Sequence, residues 1–168
     1  MRHIISAIVE NKPGVLAHIA GLFAGRGFNI DSLAVGETED PARSRMTVVV
    51  KGDDTVLEQV RKQLGKIIDV IKVQDFSETE HVERDLALIK VAVRPEKRGE
   101  VFEMCEVFRG KVVDIGSKHL VLEISGPEKK VEAFIDLLKP YGIREVVRTG
   151  RIAIARGEGH CFTLNRPS

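Results

Sequence analysis

Between Glu10 and Leu33 the chain reads ENKPGVLAHIAGLFAGRGFNIDSL, in which an Asn-x-Pro-Gly turn runs straight into an apolar helical pattern. Pro13 suits a first helical turn, because its missing N–H is one the helix would leave unused. Gly14 lets another molecule approach the backbone closely, at the point where the first helical N–H groups have no intrahelical acceptor. Those donors, with the positive end of the helix dipole, suit a carboxylate. Asn11 brings an amide that can accept from an ammonium and donate to a carboxylate. Asn29, on the strand that follows the helix, can project a second amide toward the same edge, and Val15, Leu16 and Ile30 would supply apolar wall. Together these groups fit an amino acid with a short branched side chain. The same residues would equally make a bare turn and cap, with Asn29 tolerating the tight turn after Gly27, so the stretch alone names no ligand.

Other candidate chemistry is weaker. His3, His18, His81, His119 and His160 are scattered without metal-ligand spacing, and no metal site is expected. His18 falls on the polar side of the first helix. Glu78, Glu80, Glu83 and Asp85 read as a solvated linker, since nothing compels a carboxyl pair into one pocket. Gly21, Gly25 and Gly27 lie within and after a helix, not after a strand, which excludes a phosphate loop. Cys105 sits on an apolar helical stripe and is expected in a core, while Cys161 falls in the tail with no role. No catalytic residue emerges.

The elements that must position these groups follow from periodicity. Residues 2–9 are β-rich and end at the Pro13-Gly14 turn signal. Val15, Leu16, Ile19, Leu22 and Phe23 then fall at helical spacing, and Gly25-Arg26-Gly27 stops the helix. Residues 28–38 and 44–51 read as strands joined through a polar turn at Asp40-Pro41. A second helix carries Val56, Leu57, Val60 and Leu64, with Thr55 and Glu58 at capping-box spacing, and residues 67–76 close the set as a strand. The order is β-α-β-β-α-β, the split βαβ arrangement of ferredoxin-like domains.

After a polar stretch at 77–84 the order recurs: a strand at 85–93; a helix striped by Val101, Phe102, Cys105 and Phe108; paired strands at 111–115 and 119–124. A helix follows, bearing Val131, Phe134, Ile135 and Leu138, with Ser125 and Glu128 as its cap, and then strands at 143–147 and 152–155. The expected class is α+β, with two tandem ferredoxin-like βαββαβ domains at 1–77 and 78–157 and a tail at 158–168.

Composition agrees with a soluble globular chain: 168 residues, 43% apolar and 30% charged. Two domains of this size have thin cores and gain from association, so oligomerisation is expected. A net charge of +1 provides no general attraction to nucleic acid or anionic membrane. No apolar run is long enough to span a bilayer, and the chain opens directly on a strand-like pattern, so a cytoplasmic location is expected.

The stretch NKPGVLAHIAGLFAGRGFNIDSLAVGETEDPARSRMTVVV resembles, nearly residue for residue, the amino-terminal ACT domain of the acetolactate synthase (acetohydroxyacid synthase) small regulatory subunits. The likeness continues through HVERDLALIKV, FRGKVVDIG, LVLEISG and REVVRTGRIAIARG, so it covers almost the whole chain. RGFNIDSL together with RTGRIAIARG is the specific part. The resemblance implies a non-catalytic regulator of branched-chain amino acid biosynthesis that forms homodimers through ACT domains set side by side. It further implies activation of a large catalytic subunit holding thiamine diphosphate, magnesium and FAD, none of them in this chain, and feedback inhibition by valine or another branched-chain amino acid. By matching position the effector contacts would be Asn11, Gly14, Val15 and Leu16, with Asn29 and Ile30 from the neighbouring chain. The corresponding second-half loop, Arg94-Pro95-Glu96-Lys97-Arg98-Gly99, lacks the Asn-x-Pro-Gly turn and is strongly charged, so no second effector site is expected there.

Two other functions share this topology. An RNA-recognition module needs aromatic rings on its central strands for base stacking, and Ile4-Ile5-Ser6-Ala7-Ile8 and Met46-Thr47-Val48-Val49-Val50 contain none. An acylphosphatase-like enzyme needs an arginine in the first loop, where this chain has Lys12. Purified chain incubated with an acyl phosphate should release phosphate no faster than buffer, and a rate proportional to protein would restore the enzyme reading.

Overall fold

The computed structural model describes residues 1–157, so His160, Cys161 and the expected tail at 158–168 lie outside the described residues. The chain divides into two compact units. Among the described residues the first takes Met1–Val82 together with residues 151–157, and the second is Glu83–Gly150.

In the first unit the elements are β1 (Arg2–Glu10), α1 (Val15–Gly25), β2 (Ile30–Glu37), β3 (Arg43–Lys51), α2 (Asp54–Gly65) and β4 (Val70–Asp75). Their antiparallel sheet runs β2-β3-β1-β4. Strict alternation sorts the side chains: Ile5, Ala7 and Val9 of β1 join Met46, Val48 and Val50 of β3 on one face. Against that face α1 buries Val15, Ile19 and Phe23, and α2 buries Leu57, Val60 and Leu64.

The second unit repeats the plan with β5 (His81–Ala92), α3 (Arg98–Val107), β6 (Lys111–Ile115), β7 (His119–Gly126), α4 (Glu128–Leu138) and β8 (Ile143–Arg148), in sheet order β6-β7-β5-β8. Ala87, Ile89 and Val91 pack with Leu120, Leu122 and Ile124 beneath Val101, Cys105, Val131, Phe134 and Leu138. Both units are therefore ferredoxin-like, as the spacing predicts. Burial pushes the Cys105 thiol up from its ordinary range, in keeping with a packing role.

Several local expectations need correction. The cap of α2 is Asp53, whose carboxylate accepts from Val56 N–H at 3.0 Å, and not Thr55; Glu58 instead reaches forward to Lys62 at 2.8 Å. Pro127 precedes α4 without any side-chain cap, because Ser125 still belongs to β7. Residues 67–69 form a turn before β4, held by Val70 N–H on the Ile67 carbonyl at 3.1 Å.

Asp85 is not part of a solvated linker. Inward parity on β5 buries it, and Arg148 meets its Oδ2 from Nε at 2.8 Å and from Nη2. His3 is also buried. Since a carbonyl only accepts, its Nε2 carries the proton donated to Gly52, which leaves Nδ1 to accept from the Ser77 hydroxyl.

The last strand, β9 (Ile152–Ala155), pairs with β5 and packs Ala153 and Ala155 on Ile4, Val49 and Phe76. Among the described residues no helix is long and apolar enough to cross a membrane.

The cap gives a direct check. Asp53→Ala should cost about 1 kcal/mol of stability in denaturant unfolding, whereas Thr55→Ala should cost much less. Equal losses would return the cap to Thr55.

Candidate functional site

Gly14 adopts φ 85°, the left-handed region, and turns the chain from the Pro13 bend into α1. The opening of the helix is only partly satisfied. Val15 N–H reaches the Lys12 carbonyl at 3.4 Å and His18 N–H takes that of Gly14 at 2.9 Å. Between them the amides of Leu16 and Ala17 fall in the first turn, where a helix has no carbonyl to offer. With no acidic residue in that turn and no side-chain cap, the positive end of α1 is uncompensated by its own side chains.

Asn11 is exposed, but its amide is not idle. Its Nδ2 donates to Glu37 Oε1 at 3.1 Å and to the Pro41 carbonyl at 2.9 Å, while its backbone N–H bonds Ala42 at 2.8 Å. Both amide hydrogens thus fasten the loop to the β2–β3 hairpin. What Asn11 keeps for a ligand is Oδ1, an acceptor suited to an ammonium; the donor role foreseen for it is taken up within the chain.

The apolar residues divide. Val15 is 5% exposed and belongs to the core, so only its backbone can reach a ligand. Leu16 is 46% exposed beside the helix start, and Ile30 is half-buried against the core. Asn29 is exposed at the opening of β2, with Nδ2 at 3.4 Å from Asp31 Oδ1; Asp31 in turn holds Arg2 Nε at 2.8 Å.

The six residues do not meet within one chain. β1 ends at Glu10 opposite Arg43, and β2 ends at Glu37 opposite Ser44, so Asn11 and Gly14 lie at that end of the sheet. Ile30 stands opposite Val50, at the other end. Six or seven strand residues separate the two rows, about 20 Å at the usual rise. β2 is also an edge strand, with Leu33 and Val35 exposed and neither proline nor lysine along its length. Between Asp31 and Glu37 such an edge leaves unpaired backbone groups that can serve as a template for another strand.

Neither of two surface hollows includes any of these six residues. One of 440 Å³ follows the outer side of α1 between Ala17 and Arg26, and one of 680 Å³ lies along residues 76–81 with Arg156.

The second unit closes the equivalent position with its own side chains. A 3-10 turn, Pro95–Lys97, leads into α3, Lys97 pairs with Glu100 at 3.0 Å, and Arg98 donates to the Gly116 carbonyl. The Tyr141 hydroxyl donates to Glu100 at 2.6 Å and, with Lys97, holds that carboxyl below its usual range. Glu100 thus sets a carboxylate in the first turn of α3, where α1 has none. Among the described residues no cluster of histidine, cysteine or carboxylates could hold a metal ion.

Comparison with known proteins finds a family match for each half of the chain. Residues 5–72 match the family described as AHAS small subunit-like ACT domain, and residues 84–157 match that described as small subunit of acetolactate synthase. A probable acetolactate synthase small subunit of Archaeoglobus fulgidus is 55% identical over 157 residues, covering 94% of this chain and 98% of that protein. The acetolactate synthase small subunit of Aquifex aeolicus is 52% identical, covering 92% and 81%. The crystal structure of the acetolactate synthase small subunit from Thermotoga maritima superposes with a TM-score of 0.84 at 45% identity, covering 94% of this chain and 99% of that one.

Nothing lies within 4 Å of a Cβ built on Gly14, so a side chain there meets only the backbone penalty. Gly14→Ala should therefore destabilise the chain by about 1 kcal/mol. An unchanged denaturation midpoint would mean that the turn does not hold its left-handed geometry.

Proposed function

The chain belongs to the family of acetolactate synthase small subunits, and from that premise we propose that it is a non-catalytic regulator. It binds a branched-chain amino acid, valine foremost, where two copies meet, and it adjusts the activity of a larger catalytic partner. The reaction chemistry, with thiamine diphosphate, magnesium and FAD, rests in that partner, and the assembly works in the cytoplasm.

One observation carries the reading: the two halves of the candidate site sit at opposite ends of a sheet whose β2 edge is free. Antiparallel pairing of β2 with β2 of a second copy exchanges those ends. Asn29 and Ile30 of the second copy then come beside Asn11, Gly14 and Leu16 of the first, and a two-fold axis builds the site twice. An amino acid fits the donors and acceptors so assembled. Its carboxylate takes the unpaired amides at the start of α1, and its ammonium takes Asn11 Oδ1. Its branched side chain lies against Leu16 and Ile30. The charge pattern matches a zwitterion, which neither a simple cation nor a simple anion would satisfy.

Effector and catalytic partner should be coupled by roughly 1–3 kcal/mol, and each should change the affinity for the other by the same factor. Calorimetric titration of the full chain with valine, leucine and isoleucine ranks the effectors. Asn29→His adds bulk at the pocket. Gly14→Asp adds a negative charge facing the carboxylate, in a conformation that aspartate tolerates better than most residues. Both variants should fold and still activate the catalytic subunit, but lose heat of binding and effector inhibition. Inhibition equal to that of the unmodified chain in both would remove the site from this turn.

A further inference from the structure

The first unit buries both faces of its sheet, and only one is under helices. On the other, Ile4, Val49 and Phe76 are covered by β9, which the chain reaches only after the whole second unit. Its alternation is inverted. The alanines point inward, with Ala153 at 6% exposure, while Ile152 and Ile154 point outward at 54% and 59%. β9 is held along its length by pairing with β5, but a strand that puts its small residues inward gains little from burial, so its seat on β1 and β3 depends on polar fastenings.

Those fastenings are specific. Arg45 of β3 donates from Nε to the Ser6 hydroxyl at 2.8 Å and from Nη2 to the Ala153 carbonyl at 3.1 Å. Burial strips this guanidinium of water and lowers its pKa, the cost of placing a charge under the strand. At one end Arg156 N–H bonds the Glu80 carbonyl at 2.9 Å and its Nε that of His81 at 3.3 Å. At the other, Arg151 N–H meets the Ser32 hydroxyl at 3.4 Å. Ser32 lies on β2, three residues beyond Asn29, and the β2–β3 register shifts between Ile30 and Ser32. An irregularity of that kind bends the strand and interrupts its ladder locally, which sets the start of β2 apart from the rest. Immediately before Arg151 stands Gly150 at φ 89°, the last residue of the second unit.

We propose that β9 is a strap through which the second unit responds to occupancy of the effector site, with Arg45 and Ser32 as the fastenings that make it respond. The inference rests on the effector reading above. Ligand drawn against Asn29 and Ile30 shifts the irregular start of β2, Ser32 carries the shift to Arg151, and Arg45 keeps β9 moving with the sheet. Arg45 and Ser32 touch no effector; they are positioning residues.

The test uses the full chain reconstituted with its catalytic subunit. It compares the unmodified protein with Arg45→Met, Ser32→Ala and Arg45→Lys, measuring valine binding by calorimetry alongside valine inhibition. Arg45→Met and Ser32→Ala should hold binding within about twofold and leave activation intact, while the valine needed for half-inhibition rises about tenfold. Arg45→Lys keeps a donor for the Ala153 carbonyl and should recover most of the response. Inhibition unchanged in both disabling variants overturns the strap. So does binding that weakens in step with inhibition, since β9 would then only support the site. An unmodified chain that binds no branched-chain amino acid removes the effector reading itself and the strap with it, a result distinct from either.

Discussion

An antiparallel sheet sends the two ends of its strands to opposite poles, and the candidate site inherits that separation. The Pro13-Gly14 turn and the opening of β2 are joined by one helix, yet they cannot face each other in a single copy. Every chemical group for holding an amino acid is present in one chain, but split between the poles. The free edge of β2 is what can reunite them, and its apolar character is the thermodynamic reason to do so. In the arrangement proposed above, one copy would hold both charged ends of the ligand and the second would close over its side chain, which links binding to association.

The two units share a topology but build the loop into their first helix differently. In both units a loop leads from the first strand into the first helix. In the first that loop turns on Gly14 and leaves the helix start bare. In the second, Pro95–Lys97 bring charged side chains, and Lys97, Glu100 and Tyr141 satisfy one another across the opening. The first turn of α1 has no acidic residue, whereas that of α3 carries Glu100. The second unit's core packs under Phe134 and Leu138.

Much of this was legible in residue spacing. Alternation in Ile5, Ala7 and Val9 and helical stripes such as Leu57, Val60 and Leu64 define faces, and faces define a two-layer fold. The asparagines and Gly14 stood out because their types fit both a turn and a ligand. What escaped were facts that depend on parity or on distant partners. Asp85 sits in an acidic stretch and looks solvated, until the phase of β5 turns it inward to Arg148, 63 residues away. His3 needs Gly52 and Ser77 to become a buried link. Asn11 looked like a free amide because Glu37 and Pro41 are adjacent only after the hairpin forms. The phase of β9 was equally hidden, since its isoleucines at period two face outward. No local rule reveals that the alanines pack on Ile4 and Val49 instead.

That late strand has a consequence for how the protein comes into being. Ribosomes deliver Ile4 and Val49 early, but their cover arrives only after residues 83–150 have been made. At ordinary translation speed this leaves the back of the first sheet bare for several seconds. The second unit, one uninterrupted segment, can condense completely within that interval. The newborn amino-terminal half therefore waits with sticky surface in the open, and this is where chaperone protection during biosynthesis would matter most.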